Sequence, residues 1–135
     1  MKDMIIKTVL KYYPGVQAVY LFGSVETDQE WADSDVDIGL LLDHKKAKET
    51  GSLMMSDLHS ALTSLLKRDV DLVNLRQVST VFQKEAISAE RRVFCADVYA
   101  ADEFEMLTLS YYQKLNEERK GILDEFNRTG RAYPV

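Results

Sequence analysis

The sequence predicts an α/β (α+β) protein with a small mixed sheet of three to four strands, flanked by helices and followed by a long C-terminal helix. Two observations carry this. Residues 16–22, 35–42 and 69–75 are short apolar or β-branched runs of strand length, the first broken only by Gln17. Around them, apolar residues recur at helical spacing.

In chain order, Met4, Ile5, Thr8, Val9 and Tyr12 mark a helix over residues 2–13, which Pro14-Gly15 stops. The strand over 16–22 ends abruptly at Gly23-Ser24, a polar and acidic stretch surrounds Trp31, and the strand over 35–42 follows. Met55, Leu58, Leu62, Leu65 and Leu66 give a helix over 52–67, and Asp69 to Leu75 forms the third strand. Thr80 with Gln83 offers a capping box for a helix reaching about Glu90, and residues 92–96 read as a short edge strand. Asp102 with Glu105 opens the last helix, which runs to about Asn127.

With 135 residues, 46% of them hydrophobic and 29% charged, the chain reads as a single domain over 1–135 with one buried core. Its only cysteine, Cys95, allows no internal disulfide and suits a reducing compartment. No apolar stretch is long enough for a membrane span, and residues 1–4 do not begin a signal peptide, so a cytoplasmic protein is expected. Seventeen basic against 22 acidic residues give a net charge of −5, which argues against direct binding of bulk nucleic acid. A polyanionic ligand therefore needs a local site or a metal.

The carboxylates on the strands are the informative feature. Side chains alternate along a strand, so Asp35 and Asp37 share one face while Val36 and Ile38 share the other. Two acids so close need solvent or a cation to stay ionised, and Mg²⁺ suits them because it accepts few carboxylates and fills its remaining positions with water and phosphate oxygens. If the third strand pairs beside the second, Asp71 completes a three-carboxylate cluster able to hold two metals roughly 3.5–4 Å apart, an arrangement for displacement at phosphorus. Asp69 reads as an exposed flank. Gly23 allows a tight turn, and nearby backbone N–H groups with the Ser24 hydroxyl can receive phosphate oxygens. Each feature also has a plainer reading: solvated acids at a strand start, and a serine that only caps a helix.

Together, Gly23-Ser24, Ser34-Asp35-Val36-Asp37-Ile38 and Val70-Asp71-Leu72-Val73 resemble the signature of the minimal nucleotidyltransferases, a branch of the DNA polymerase β-like superfamily. Size and the long last helix make the chain most similar to the MntA-type antitoxins of HEPN/MNT toxin–antitoxin modules. That resemblance implies a polymerase β-like nucleotidyltransferase fold and transfer of AMP from Mg-ATP to a tyrosine hydroxyl of a cognate HEPN-domain RNase toxin, within a hetero-oligomer. Carried over by position, Asp35, Asp37 and Asp71 hold the metals, two in number, Asp71 also helps deprotonate the incoming hydroxyl, and Gly23 and Ser24 grip the triphosphate. Neutralisation by binding alone, and transfer to a small hydroxylated molecule, are the alternatives.

The chain departs from many relatives after the Gly-Ser pair, where Val25-Glu26-Thr27-Asp28-Gln29-Glu30 places acids in a segment that elsewhere carries an arginine. Lys45, Lys46, Arg76, Arg91 and Arg92 are the candidates for supplying positive charge instead. His44 and His59 lack companion cysteines and read as ordinary surface or core-edge residues rather than zinc ligands. On the last helix, Phe104, Leu107, Tyr111 and Leu115 form one stripe, which Met106, Leu109 and Tyr112 broaden. This breadth leaves two readings, a helix buried on its own domain and a strip that docks a partner.

Overall fold

Two apolar layers, one on each face of a four-stranded sheet, organise the chain in a computed structural model that describes residues 2–22, 35–89 and 92–129. The strands are β1 (Ala18–Phe22), β2 (Val36–Leu41), β3 (Val70–Asn74) and β4 (Arg92–Cys95), arranged β3-β2-β1-β4. The helices are α1 (Lys2–Tyr12), α2 (His44–Thr50), α3 (Asp57–Leu66), α4 (Thr80–Ser88) and α5 (Val98–Thr129). β1 runs antiparallel to β2 and β4, whereas β2 and β3 are parallel, so the sheet is mixed as expected. Parallel pairing needs a crossover, which α2 and α3 supply.

Alternation along the strands fills both layers. Val19, Leu21, Val36, Ile38, Leu40 and Leu72 face Ile5 and Val9 of α1 and Leu58 and Leu62 of α3. Tyr20, Phe22, Leu41 and Val73 face the other way, toward Ala86 and Ile87 of α4 and Ala101 and Phe104 of α5. Leu75, in a 3-10 turn over Leu75–Gln77, fills the space above Gly39, where a Cβ would meet three Leu75 side-chain atoms at 3.0 Å.

Several element boundaries differ from the sequence expectation. α2 was not foreseen; it forms because the Asp43 carboxylate accepts a hydrogen bond from the Lys46 backbone N–H at 2.8 Å. α4 is capped by Ser79 rather than Thr80, with Oγ accepting from the Phe82 N–H at 3.3 Å, while the Gln83 amide donates to the Leu75 carbonyl at 2.7 Å. α5 begins at Val98, where the Asp97 carboxylate accepts from the Ala100 N–H at 3.0 Å. Asp102 and Glu105 therefore lie inside α5 and pair with Arg92 at 3.1 and 2.6 Å.

Tyr20 ties the sheet to α5, its hydroxyl donating to Glu105 at 2.9 Å. The packed stripe of α5 is Ala101, Phe104 and Thr108, a spacing of three and four that includes only one member of the expected stripe. Met106, Leu107, Leu109 and Tyr111 are exposed. His59 is a core-edge residue, with Nε2 2.8 Å from the Val70 carbonyl oxygen. Among the described residues no helix is long and apolar enough to cross a membrane.

Candidate active site

The parallel pairing of β2 and β3 decides where the acids meet. The Val36 N–H donates to the Asp69 carbonyl at 2.9 Å, and the register then sets Val36 beside Val70 and Asp37 beside Asp71. Because Val36, Ile38, Val70 and Leu72 enter the α1/α3 layer, Asp37 and Asp71 project together from the opposite face, toward the side covered by α4. Their carboxyls come near enough to interact directly. Asp37 is pushed up to about 6 by burial first, then by hydrogen bonding of its protonated form toward Asp71 and by the negative charges of Asp71, Asp35 and Glu85.

Asp35 lies immediately before β2 and is exposed, as are Asp71 and the flanking Asp69. Among the described residues no three His, Cys, Asp or Glu side chains gather as a ready metal site. The acids that meet are Asp37 and Asp71, with Asp35 near enough for its charge to act on Asp37. This donor set fits a hard dication, because neighbouring carboxylates that resist ionisation mark a position where positive charge is preferred, and oxygen is the ligand Mg²⁺ takes.

Gly23 and Ser24 follow β1 in sequence and lie outside the described residues. β1 ends at Phe22, which pairs with Asp37, so the strand leading to them terminates at the acidic end of the sheet. Phe22 meets Phe82 of α4 edge-on, with ring centroids 5.7 Å apart.

Beside Asp71 lies a cavity of about 480 Å³, walled chiefly by Leu53, Met54, Val73, Val78 and Phe82, with Asn74 among its polar lining. It sits along β3, an edge strand of the sheet, where the Leu72 N–H donates to the Met54 sulfur at 3.3 Å.

Two of the candidate cations are committed elsewhere. Arg76 donates to the Leu42 carbonyl and, at 2.8 Å, to Gln17 Oε1, and its guanidinium lies over the Phe104 ring at 5.8 Å. Leu42 is five residues along the strand direction from Asp37, roughly 16 Å at strand rise, so Arg76 serves the far end of the sheet. Arg92 is held by Asp102 and Glu105, which raise its pKa further. Lys46 lies over the Tyr13 ring at 5.7 Å, Lys45 is exposed on α2, and Arg91 is outside the described residues.

Sequence reasoning missed Phe82 and Glu85. They stand three apart on α4 and so lie on neighbouring positions of one helix face. Their signal was faint: an exposed aromatic near the helix start, followed one turn later by an acid.

A sheet carrying paired aspartates at one end, reached by a strand running into Gly-Ser, has the build of a nucleotidyltransferase. A family model described as "Polymerase beta, Nucleotidyltransferase" matches residues 5–99, and the chain belongs to that family. Within it, the chain is 34% identical to the protein adenylyltransferase MntA of Shewanella oneidensis, over 98% of this chain and 93% of that protein. Among solved structures it is similar to a toxin–antitoxin with AMP-PNP, at a TM-score of 0.71 and 33% identity over 92% of this chain and 96% of that one. It is also similar to a complex of tri-AMPylated Shewanella oneidensis HEPN toxin with MNT antitoxin, at a TM-score of 0.65 and 34% identity over 92% and 93% of the two chains.

Proposed function

We propose that this chain is a single minimal nucleotidyltransferase domain that acts in the cytoplasm as an antitoxin. It transfers AMP from ATP to a tyrosine hydroxyl of a cognate HEPN-type RNase toxin, with which it forms a hetero-oligomer. The observation that carries this reading is the pairing of Asp37 with Asp71 beside an open cavity, in a chain similar to a named protein adenylyltransferase. The tri-AMPylated toxin in a similar complex supports transfer of more than one AMP.

In the step, the acceptor oxygen forms a bond to the α-phosphorus, the bond from that phosphorus to the bridging oxygen breaks, and pyrophosphate leaves. Asp71 lies on an edge strand at the cavity and takes the proton of the incoming hydroxyl. Asp35, Asp37 and Asp71 would hold Mg²⁺, two ions when the site is full, and the metal would supply positive charge against the phosphates. Gly23 and Ser24 grip the triphosphate through backbone N–H groups and the serine hydroxyl. Asp37 must be ionised for this, so binding of the dication and loss of its proton are coupled.

The test is the intact mass of the cognate toxin after incubation with this protein, Mg²⁺ and ATP. Steps of one AMP are expected, and Asp35→Asn or Asp37→Asn should abolish them. No mass gain despite tight binding would replace catalysis by neutralisation through occlusion. Neither gain nor binding would redirect the search to small hydroxylated acceptors. Ser24→Ala should weaken ATP binding, and unchanged affinity would move the phosphate site elsewhere.

A further inference from the structure

At the end of the sheet away from the paired aspartates, a pocket of about 160 Å³ opens between α5 and the 3-10 turn that follows β3. Arg76, Phe104, Leu107, Thr108 and Tyr111 are in its lining. Two features there are left over from the fold. The first is the charge on Arg76. Its Nε and Nη2 donate to the Leu42 carbonyl and Gln17 Oε1, both neutral acceptors, and Nη1 makes no hydrogen bond with the described residues. Burial lowers the Arg76 pKa, against the pull of Glu103, Asp43 and Asp97, which act from a distance and form no ion pair with it. A partly buried guanidinium is ordinarily paired with an acid.

The second is Thr108, which lines the pocket and is 2% exposed, yet its hydroxyl makes no hydrogen bond with the described residues. A helical threonine can satisfy itself on the carbonyl four residues back, as Thr8 does on Met4 at 2.7 Å. Thr108 does not, and its oxygen, unlike that of Thr63, is not sealed from solvent. The Tyr111 hydroxyl, three residues further along the same side of α5, is likewise uncommitted.

Donors without acceptors select an anion. Arg76 supplies one positive charge, and its Nη1 with the two hydroxyls supplies the hydrogen bonds that a carboxylate accepts. A phosphate dianion exceeds that single charge. Size decides the source: sites for free small molecules run to about 300–1,000 Å³, whereas this pocket has room for one short side chain. The Phe104 ring backs the guanidinium at 5.8 Å, and the exposed Leu107 and Tyr111 give the opening an apolar rim. Arginine and tyrosine around one polar anchor, with apolar surface beside them, is the composition of a protein interface.

We infer that this pocket is an anchor point for the cognate toxin and receives the carboxylate of one aspartate or glutamate on the toxin surface. The inference rests on the antitoxin reading above. Arg76 pairs with the carboxylate through Nη1, Thr108 and Tyr111 donate their hydroxyls to its oxygens, and Leu107 packs on its methylene groups. The pocket lies over the α4/α5 face of the sheet, which Asp37 also faces, but at the Leu42 end, roughly 16 Å from Asp37 at strand rise. It therefore holds the toxin without touching the reacting atoms, and affinity is separable from chemistry.

The experiment measures the affinity of the full-length protein for the cognate toxin by calorimetry, comparing wild type with Thr108→Val, Tyr111→Phe and the double variant. Each substitution removes a hydroxyl and nearly keeps the volume, and circular dichroism confirms that the variants are folded. The dissociation constant should rise at least tenfold in the double variant. The KM for toxin should rise with it, while kcat for AMP transfer stays at the wild-type value. Neutralising the toxin's exposed acids one at a time should find one whose loss weakens wild type equally and adds nothing to the double variant. Folded variants that bind the toxin as wild type does, or a fall in kcat at unchanged KM, would overturn the anchor and leave the antitoxin reading intact. Saturable binding of acetate or succinate, with toxin affinity untouched by the variants, would assign the pocket to a free carboxylate and overturn it too. No binding of the toxin by wild type would remove the antitoxin reading itself.

Discussion

Asp37 and Asp71 are register partners on neighbouring parallel strands, and Asp71 makes the Asp37 carboxyl harder to ionise. Parallel pairing sets their side chains next to each other at the end of the sheet where β1 hands the chain to Gly23-Ser24. A proton or a cation relieves the repulsion within the pair, which makes its ionisation measurable in the folded protein.

Asp37 binds its proton more tightly folded, with a pKa of about 6 against an ordinary 3.8, so between those values the folded state carries more protons than the unfolded one. Stability contributed by this group is present below pH 4 and is lost as pH rises through 6. After discounting for solvent around a partly exposed carboxyl, the loss is about 1 kcal/mol. Urea midpoints between pH 4 and 7 in metal-free buffer should show this component, and Asp37→Asn should flatten it. An identical pH profile in the variant would refute the assignment.

Mg²⁺ should reverse that loss. Binding only to the folded state raises stability by RT ln(1 + [L]/Kd), about 2.7 kcal/mol at a hundredfold excess over Kd. At pH 7.5 a thermal scan should show a Tm increase with Mg²⁺ in wild type and little or none in Asp37→Asn. Equal shifts in both proteins would place the ion away from these carboxylates.

The attachment of α5 to the sheet depends on Tyr20, Glu105 and Arg92. Tyr20 is 1% exposed, and burial together with Glu105 drives its phenol well above the ordinary range. Tyr20→Phe should cost about 1 kcal/mol, whereas Glu105→Ala should cost roughly 1–3 kcal/mol because it leaves the buried hydroxyl and Arg92 without their shared acceptor. Denaturant unfolding of the two single variants and the double variant gives the coupling between them. Additive losses would show that the hydrogen bond contributes nothing.

Gly39 is required by its neighbour rather than by its backbone. Leu75 is fully buried and packs at 3.0 Å from where a Cβ would stand, so Gly39→Ala should destabilise by about 1–3 kcal/mol through overpacking. Leu75→Ala in the same chain should recover part of the strain. A Gly39→Ala protein as stable as wild type would mean that Leu75 repacks without cost.

The strands were legible because residues such as Val19, Leu21, Ile38 and Leu72 are selected for burial, and the two-residue period then fixed which acids share a face. The mutual position of Asp37 and Asp71 was conditional on a pairing that local sequence does not encode, and the parallel register supplied it. Helix starts were misread where several residues can cap: Ser79 stands one position before Thr80, and Asp97 five before Asp102. The role of Arg92 was invisible, because Glu105 reaches it only once α5 has docked. Phe82, Glu85 and the Asn74 cavity arise from docking of α4 and the 51–54 segment against β3, a tertiary event without a local signature.

β3 is an edge strand of the sheet, and Asp71 on it is exposed. Chemistry set at the perimeter of a sheet can be reached by a bulky, already folded substrate docking as a rigid body. The substrate's own surface then becomes the missing wall of the reaction chamber, so water is excluded only when the right protein is in place. Discrimination between acceptors resides in the fit of two surfaces, and an unmatched hydroxyl that reaches the acid meets solvent rather than an assembled site.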